Sequence, residues 1–379
     1  MLKTTYLKIE WYIVSLNRKK IIIAGGGTGG HLFPALAIGE TLEKDGMQVK
    51  YIGSKNGIEA TGNYIEKNKI ELLDLYGISR SFTLNSFKKN ILLILKVIKS
   101  YLKVKNTIDS FNPDLVIGTG GYSCAIPLYL AQKKNIHTAI QEQNVLPGLT
   151  TKKFSRKSTI VFTAFDESKK YLDNCNLFLS GNPIRKRIKE KDSVLAKKAY
   201  NLNPDKFTML IVGGSQGARS INKHFQKNIT KYIDKGIQII WQTGNNSSDI
   251  IRDINDDNVL KFDFIDDIEN AYAASDLVIS RAGATAISEI LFLKKPSILI
   301  PYPYASDNHQ EINAKVLENS GAAVMIKENE FKSLSLEKKI FDLFESREAL
   351  DNISLNTSKL SNPNASDVIK DKIKEIISC

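Results

Sequence analysis

The sequence carries the same local pattern twice, at two places that lie 188 residues apart. In each copy a short apolar run enters a glycine-rich loop, and a segment with helical spacing of apolar residues follows. The first copy is Ile21–Gly30 and the second is Met209–Ala218. An apolar strand, a glycine turn and a helix in this order are typical of nucleotide-binding α/β domains. The repeat therefore predicts two related domains, each opening on such a loop.

Between these landmarks, short and nearly continuous apolar runs alternate with segments of helical periodicity. The runs that we interpret as further strands are Val49–Ile52, Asp114–Gly118, His137–Gln141, Thr159–Phe162, Ile237–Trp241, Val259–Phe264, Leu277–Ser280 and Pro296–Pro301. Such strands, separated by helices, are typical of parallel sheets that are covered on both faces. We therefore predict an α/β protein of two doubly wound Rossmann-like domains that face each other across a cleft.

The length of 379 residues suits two domains, or at most three. We expect the boundary at the motif Gly181–Arg185, after which a charged run begins. This division gives a first domain over 19–184 and a second over 185–360. Residues 1–18 lack the pattern of a signal peptide and are interpreted as an N-terminal appendage.

The glycine loops suit the binding of phosphate, because glycine lets the backbone approach a ligand and the following helix offers unpaired N–H groups. Gly25-x-Gly27-x-x-Gly30 matches the dinucleotide fingerprint, but the strand Val49–Lys55 ends without the acid that would hold the ribose. Neither loop ends in the Gly-Lys-Ser/Thr of a Walker phosphate loop. A nicotinamide-dependent oxidoreductase stays open as an alternative, and so does a tight turn without a ligand at one loop.

Several polar side chains follow the predicted strands. His31 comes directly after the first glycine loop, where an exposed imidazole suits a base; the alternative is a histidine that only caps or packs the helix. Glu289 lies about one turn into a helix after another glycine turn, where it suits ribose hydroxyls; the alternative is an acid that complements the helix dipole. The loops Gln141–Asn144 and Pro301–Gln310 add hydrogen-bonding groups at two other strand ends.

The charge balance favours an anionic partner but does not choose it. Lysine and arginine number 53 against 41 acidic residues, which gives a net charge of +12 and a pI near 9.3. This surplus attracts nucleic acid, anionic lipid or a nucleotide substrate. No basic segment has the interleaved aromatic residues of a nucleic-acid site, so nucleic acid is not expected. Cys124, Cys175 and Cys379 are too scattered for a zinc site or a disulfide framework, which favours a cytoplasmic setting.

Five motifs in order carry a resemblance to a known family: Gly26–His31, Gln141–Asn144, Gly181–Arg185, Gly213–Arg219 and Gly283–Glu289. In this combination the chain, from about residue 20 to its end, resembles the peptidoglycan N-acetylglucosaminyltransferases. The resemblance implies the GT-B glycosyltransferase fold, with an acceptor site in the first domain and a UDP-sugar site mainly in the second. It also implies that a C-terminal helix over 361–379 packs back on the first domain.

The family's reaction moves N-acetylglucosamine from UDP-N-acetylglucosamine to the 4-hydroxyl of the muramoyl sugar of lipid I, giving lipid II and UDP. An α-linked donor gives a β-linked product, so the resemblance implies one inverting displacement without a covalent glycosyl intermediate. The chain contains no Asp-x-Asp triplet of the kind that often holds a metal in such enzymes. We therefore expect no metal and no cofactor, with helix N-termini neutralising the departing pyrophosphate.

The resemblance also implies a role for each matching residue. His31 would be the base. The residues that would contact the donor sugar or the acceptor diphosphate from the first domain are Thr28, Gly29, Gly30 and Asn144. The residues that would hold the UDP-sugar are Arg185, Ser215, Ile265, Ala284, Thr285, Ala286, Ile287, Ser288, Glu289 and Gln310. Among these, Ile265 would contact uracil through its backbone and Glu289 would hold the ribose. His309, beside Gln310, stands where some relatives have a second glutamine, and we assign it no catalytic role.

Because lipid I lies in the cytoplasmic leaflet, the resemblance implies a peripheral enzyme at the cytoplasmic face of the bacterial inner membrane. Residues 82–105 combine an apolar body with interspersed lysines, which suits an interfacial helix on anionic lipid. The alternative is an amphipathic helix that packs on its own sheet. The expected partners are lipid I, an anionic membrane surface and other cell-wall synthesis proteins. A transferase for another lipid acceptor and a nucleotide-sugar binding protein without catalysis stay open as alternatives.

Overall fold

The computed structural model describes residues 18–75, 84–214, 217–244, 254–333 and 335–378, without the side chains of 84–92 and Lys332. Of the sequence predictions, Ser215, positions 82–83 of the interfacial segment, Cys379 and the N-terminal appendage apart from Arg18 lie outside these ranges. The chain divides into two compact units, a first unit of Met1–Arg185 with Asn364–Cys379 and a second unit of Lys186–Pro363. Arg185, which the sequence division placed in the second domain, thus belongs to the first unit.

The first unit alternates strands and helices along the chain. Its strands are β1 (Lys20–Ala24), β2 (Gln48–Ser54), β3 (Ile70–Leu73), β4 (Leu115–Gly118), β5 (His137–Glu142), β6 (Ile160–Thr163) and β7 (Leu177–Leu179). Its helices before residue 185 are α1 (Gly29–Lys44), α2 (Ile58–Thr61), α3 (Leu84–Phe111), α4 (Ala125–Lys133) and α5 (Leu149–Phe154). Short 3₁₀ turns lie at Tyr122–Cys124, Ser155–Lys157 and Asp166–Tyr171.

The seven strands described for the first unit form one parallel sheet in the order β3-β2-β1-β4-β5-β6-β7. The order reverses between β1 and β4, where Ala24 pairs with Gly118. In a doubly wound sheet, the loops that leave two strands at such a switch point open a crevice for a ligand. The loops after β1 and β4 are therefore the place for a site in this unit.

The strand β1 is apolar throughout because its two faces enter two different hydrophobic clusters. Ile22 packs in a cluster with residues of α3 and α4, such as Val104 and Leu128. Ile21 packs in the other cluster, which includes Ile38 of α1. Burial on both faces explains the continuous apolar run from which the strand was predicted.

The second unit repeats this architecture with six strands and seven helices in its described part. Its strands are β8 (Thr208–Val212), β9 (Gln238–Gln242), β10 (Val259–Phe262), β11 (Leu277–Ser280), β12 (Ser297–Leu299) and β13 (Val324–Met325). Its helices are α6 (Ser193–Ala199), α7 (Arg219–Asp234), α8 (Ile268–Ala274), α9 (Ala284–Phe292), α10 (His309–Asn319), α11 (Ser335–Glu345) and α12 (Arg347–Leu360). 3₁₀ turns lie at Ser306–Asn308 and Glu328–Ser333.

The sheet of the second unit is also parallel, in the order β10-β9-β8-β11-β12-β13, and it reverses between β8 and β11. Its core joins the strands to α7 through large side chains such as Trp241 and Phe225. The two parallel sheets with alternating helices confirm the predicted fold class. The second glycine loop leaves β8, which places it at this switch point.

The last helix, α13 (Ala365–Ser378), returns to the first unit. Its buried residues Ile369, Ile373 and Ile377 pack in the same cluster as Ile21 and Ile38. The end of the chain thus completes the core of the unit in which the chain begins. No helix in the described ranges combines the length and the apolar composition that a membrane crossing requires.

Candidate active site

A buried carboxylate holds the first glycine loop. Gly26 and Gly27 have φ values of +151° and +89°, and a Cβ at Gly26 would collide with Glu59 Oε1. Glu59, on the one-turn helix α2, accepts the N–H of Gly27 at 2.9 and 3.1 Å and that of Ser54 at 2.6 Å. The loop that leads into α1 therefore has one fixed path.

The loop ends at Thr28, the N-cap of α1. Thr28 has extended backbone (φ −132°, ψ 161°), and its side chain makes no cap hydrogen bond. Its carbonyl accepts the N–H groups of His31 at 3.2 Å and Leu32 at 3.0 Å. The predicted ligands Gly29 and Gly30 form the start of the helix. The first N–H groups of a helix have no intrahelical acceptor, and this end of the helix dipole is positive.

His31 lies in the first turn of α1, against the loop that follows β4. Its Nδ1 is 3.1 Å from Thr119 O and 3.2 Å from Gln143 Oε1. Thr119 Oγ1 donates to the His31 carbonyl at 2.9 Å. A side chain at Gly120, which has a φ of +102°, would collide with the ring. The imidazole is thus held at the switch point, and its Nε2 has no hydrogen-bonding partner in the described part of the chain.

Asn144 is held by its neighbour Glu142, a buried carboxylate at the end of β5. Glu142 accepts from the Asn144 backbone N at 3.1 Å and from its side-chain Nδ2 at 3.3 Å. It also accepts from Gly148 N at 3.0 Å and Thr151 Oγ1 at 2.6 Å. These donors satisfy the buried charge and fix the half-buried Asn144 at the strand end beside β4.

Arg185 is another predicted site residue near this switch point. Arg185, predicted near the nucleotide, stacks its guanidinium on the ring of Phe33 in α1, with Cζ 4.4 Å from the ring centroid. It therefore lies beside α1, the helix that follows the first glycine loop.

Cys124, after the β4 loop, is buried and donates to Gly121 O at 3.1 Å. Burial raises the pKa of its thiol to about 12, so it is no nucleophile at neutral pH.

In the second unit, a buried amide holds the second glycine loop. Gln242, at the end of β9, donates to Gly214 O at 3.1 Å and accepts the backbone N–H of Ile265 at 3.0 Å. One side chain thus joins the glycine loop to the segment predicted to contact uracil. Gly217 has a φ of +76°, and a Cβ there would collide with Thr243 O, so this position requires glycine.

The helix α9 opens at the switch point, after β11. Gly283 is its N-cap, and the N–H groups of 284–286 precede the first internal bond, from Ile287 N to Gly283 O at 3.0 Å. Thr285 Oγ1 is buried and has no hydrogen-bonding partner among the described residues. Ile287 is fully buried, and the Ser288 hydroxyl donates to the carbonyl four residues earlier at 2.7 Å. The side chain of Ile287 thus packs in the core, and the Ser288 hydroxyl makes a hydrogen bond within the helix.

The remaining predicted ligands each have a structural partner. Glu289 is buried and accepts from Tyr272 OH of α8 at 3.3 Å. Gln310 is the second residue of α10 and accepts the N–H of Tyr302 at 2.9 Å. The neighbouring His309 has Nδ1 2.8 Å from Ser306 O. All three lie at the carboxyl-terminal side of strands in the second sheet.

Sequence reasoning missed four residues that organise these loops. Thr119 followed a predicted strand and preceded two glycines, so the strand-end signal was present there. Arg281, also at a strand end, donates to the carbonyls of Ile300 and Pro301 at 3.2 Å and pairs with Glu328. Glu59 and Gln242 had no local signal, because each reaches a loop about thirty residues away in sequence. Within the described ranges, no group of three or more His, Cys, Asp or Glu could hold a metal ion.

Solved structures with this architecture define its class. MurG from Acinetobacter baumannii superposes with a TM-score of 0.71 at 24% identity, over 94% of this chain and 99% of that chain. A putative UDP-N-acetylglucosamine 2-epimerase from Listeria monocytogenes superposes with a TM-score of 0.68 at 13% identity, over 94% and 96%. The fold, with its glycine loops at two switch points, is that of the GT-B glycosyltransferases. The epimerase likeness means that the fold alone does not choose the reaction.

Family models and a curated relative make the assignment specific. The glycosyltransferase family 28 N-terminal domain matches residues 21–163, and the family 28 C-terminal domain matches 208–370. The chain belongs to glycosyltransferase family 28. A UDP-N-acetylglucosamine--N-acetylmuramyl-(pentapeptide) pyrophosphoryl-undecaprenol N-acetylglucosamine transferase of Desulforamulus reducens is 37% identical over 365 residues. That alignment covers 93% of this chain and 97% of the relative.

Proposed function

We propose that this chain transfers N-acetylglucosamine from UDP-N-acetylglucosamine to the 4-hydroxyl of the muramoyl sugar of lipid I, giving lipid II and UDP. The full-length similarity to the Desulforamulus reducens transferase, whose name states these substrates, supports this activity. One structural observation carries the proposal: an imidazole with an unpartnered Nε2 lies at the switch point of a doubly wound unit in a family 28 chain.

The donor would bind the second unit at the helix N-termini beside its switch point. The α9 N-terminus offers the N–H groups of 284–286 and the unpartnered hydroxyl of Thr285, four donors that suit the oxygens of a diphosphate. These groups would stabilise the negative charge that develops on UDP as it leaves. Glu289 would hold the ribose, the backbone of Ile265 would contact uracil, and Gln310 would bind sugar hydroxyls. Ser215 and Arg185 stay predictions at the phosphates.

The acceptor would bind the first unit. The start of α1, at Thr28, Gly29 and Gly30, would face the diphosphates, and Asn144 would bind the transferred sugar from its fixed position on Glu142. His31 would take the proton of the 4-hydroxyl as that oxygen attacks the anomeric carbon. The bond from this carbon to UDP breaks on the opposite side, so the configuration inverts.

We also propose that the reaction needs no cofactor. The proposal rests on the sequence, which lacks an Asp-x-Asp triplet, and on the helix N-termini that supply positive charge where a metal otherwise would. The UDP-sugar donor is then the sole small-molecule requirement besides the lipid acceptor.

We propose further that α3 docks the first unit on the cytoplasmic face of the membrane. Ile94, Ile98 and Leu102, spaced one helical turn apart, are 60%, 52% and 53% exposed, and Leu95 beside them is 56% exposed. Lys99 interrupts this stripe with a positive charge. An exposed apolar stripe with lysines suits the surface of an anionic membrane.

The experiment that tests the activity is UDP release from UDP-N-acetylglucosamine, with and without a short-chain lipid I analogue and with a chelator. We expect acceptor-dependent release that continues in the chelator. Donor binding without release would overturn the acceptor or the catalysis, and loss of release in the chelator would overturn the cofactor proposal. Release with a different lipid-linked sugar, but not with the lipid I analogue, would assign another acceptor.

A further inference from the structure

Three buried amides connect the loop after β7 with His31. Asn182, Gln141 and Gln143 are 6%, 1% and 2% exposed, and we call them the amide chain. Gln141 Nε2 lies 2.7 Å from Asn182 Oδ1, and Gln143 Nε2 lies 2.6 Å from Gln141 Oε1. Gln143 Oε1 then lies 3.2 Å from His31 Nδ1. The amide chain thus joins two of the sequence motifs to the imidazole.

Backbone carbonyls fix the direction of each hydrogen bond in the amide chain. A carbonyl oxygen only accepts, so Asn182 Nδ2, 3.2 Å from Gln143 O, is a donor. Asn182 Oδ1 therefore accepts from Gln141 Nε2, and Gln141 Oε1 accepts from Gln143 Nε2. At the other end Gln143 Nε2 also donates to Thr119 O at 2.7 Å. Both anchors orient Gln143 with its oxygen toward the histidine.

The same reasoning determines the state of the His31 ring. The two atoms that face Nδ1 are Gln143 Oε1 and Thr119 O, and both accept hydrogen bonds. Nδ1 therefore carries the hydrogen, and the neutral ring has its lone pair on Nε2. We propose that the amide chain is a positioning device that holds His31 in the Nδ1–H tautomer, with Nε2 as the atom that accepts a proton.

The proton transfer rests on the proposed function, whereas the tautomer follows from the hydrogen bonds alone. An amide at position 143 orients the ring without placing a negative charge beside it. A buried network with every member satisfied also keeps one arrangement. The amide chain therefore serves the base without touching the substrate.

The tautomer is measured by long-range ¹H–¹⁵N correlation NMR on the full chain with ¹⁵N-labelled histidine, at a pH well above the usual histidine range. The chain has 4 histidines, and the variant His31→Gln assigns the His31 signals. We expect a protonated Nδ1 and an unprotonated Nε2 in the parent chain. In Gln143→Met, where Thr119 O is the one acceptor left of these two, we expect a measurable fraction of the Nε2–H tautomer. An Nε2–H tautomer in the parent, or no change in Gln143→Met, would overturn the positioning role.

A matched control and a more distant variant make the result specific. Gln132→Met removes an amide of the same unit that donates to Phe154 O at 3.0 Å and has no bond to His31, so the tautomer should not change. Gln141→Met breaks the amide chain without removing a neighbour of the ring, and it should give a smaller shift toward a mixture. This second variant decides the question if Gln143→Met does not fold.

Kinetics separate the two parts of the proposal. A wrong tautomer costs about 10⁴-fold in kcat in a Ser-His-Asp triad, and loss of one neutral partner should cost less, so we expect Gln143→Met to lower kcat by about 10–100-fold. The KM for UDP-N-acetylglucosamine should stay within about twofold. A tautomer shift with unchanged kcat would keep the positioning device and overturn His31 as the base.

Discussion

At the scale of single residues, the loops of both units depend on a few buried polar side chains. Three of these side chains make hydrogen bonds to the backbone of a loop: Glu59 accepts them, and Gln143 and Gln242 donate them. Without these bonds each loop could adopt several conformations. A buried polar side chain costs free energy unless it is hydrogen-bonded, so the positions of its partners are narrowly defined. The side chains proposed to react or bind, such as His31, are accordingly held before any ligand arrives.

The first residue-scale prediction concerns the base. His31→Gln should lower kcat by about 10²–10⁴-fold, the usual contribution of a general base. The dissociation constant of the donor should change little, because the ring is assigned to the acceptor hydroxyl. Steady-state kinetics and calorimetric titration with UDP-N-acetylglucosamine measure the two quantities. His137→Gln, at the exposed start of β5, is the matched control and should keep the parent kcat. Equal kcat values in the two variants would remove His31 from the mechanism.

The second residue-scale prediction concerns Glu289, the residue proposed to hold the ribose. Tyr272→Phe removes the donor at 3.3 Å from Glu289 Oε2 and leaves the ring in the core. A lost hydrogen bond to a charged group costs about 1.5–3 kcal/mol, so the donor KM should rise about 10–150-fold while kcat stays within about twofold. Tyr200→Phe is a control in the same unit, since that hydroxyl donates to Asp267 O at 3.3 Å. A donor KM that rises equally in both variants would mean a general effect on the unit.

At the scale of elements, the sheet edges explain which strands the sequence failed to predict. β3, β7 and β13 were not among the predicted strands, and all three lie near or at the ends of the sheets. Their residues are mostly half-buried or exposed, and the three strands have only 4, 3 and 2 residues, so a local pattern gives little signal. The central strands were predicted because both of their faces meet helices.

The membrane prediction belongs to α3. The double variant Ile98→Glu with Leu102→Glu should lower binding to vesicles of phosphatidylglycerol and phosphatidylcholine by at least about tenfold, since each apolar side chain contributes about 1.5–3 kcal/mol when buried. Cosedimentation measures the bound fraction. Leu355→Glu is the control, because Leu355 is equally exposed on a helix of the second unit. Unchanged vesicle binding in the double variant would leave α3 without a membrane role.

A pH prediction belongs to the start of β12. Lys295 donates to Ser275 O at 2.8 Å, and burial lowers the pKa of its ammonium to about 8. In the unfolded chain this pKa returns to about 10.5, so the unfolded state binds more protons between these values. Stability should therefore rise with pH from about 8 to 10.5 by roughly 3 kcal/mol and fall again as pH drops through that window.

Lys295→Met removes this titration. Thermal unfolding from pH 7 to 11 should give a stability difference between the parent chain and Lys295→Met that moves in favour of the parent as pH rises. Lys294→Met, at an exposed neighbour, is the control and should follow the parent. A difference that does not depend on pH would assign Lys295 a purely packing role.

At the scale of the whole molecule, the chain closes the first unit with its last helix. Ile373→Ala deletes a fully buried side chain from the cluster that contains Ile21 and Ile38. The cost should be about 2–5 kcal/mol, and it should fall on the unfolding of the first unit. Calorimetry resolves the units, and the transition that UDP raises identifies the second one. Asp371→Ala, on the exposed side of α13, should change stability by at most about 0.5 kcal/mol. An equal loss in both units would contradict this assignment.

Sequence alone determined the fold class, the central strands, the two glycine loops and the motifs of family 28. Each of these features depends on residues that are neighbours in the sequence. Periodicity over a few residues defines a strand that is buried on both faces, and glycine marks the turns that only it can make. The same local signal identified His31 and Glu289 as candidates. For Ile287 and Ser288 the local signal gave a candidate role at the UDP-sugar that stays a prediction.

Only the tertiary structure decided which groups hold the loops and in which state. Glu59 reaches Gly27 across 32 positions, and Gln143 reaches His31 across 112. Hydrogen bonds between residues so far apart in sequence form because parallel strands bring their carboxyl ends to one edge of the sheet. The direction of those bonds, and with it the nitrogen of His31 that can accept a proton, follows from carbonyl groups that no local pattern places.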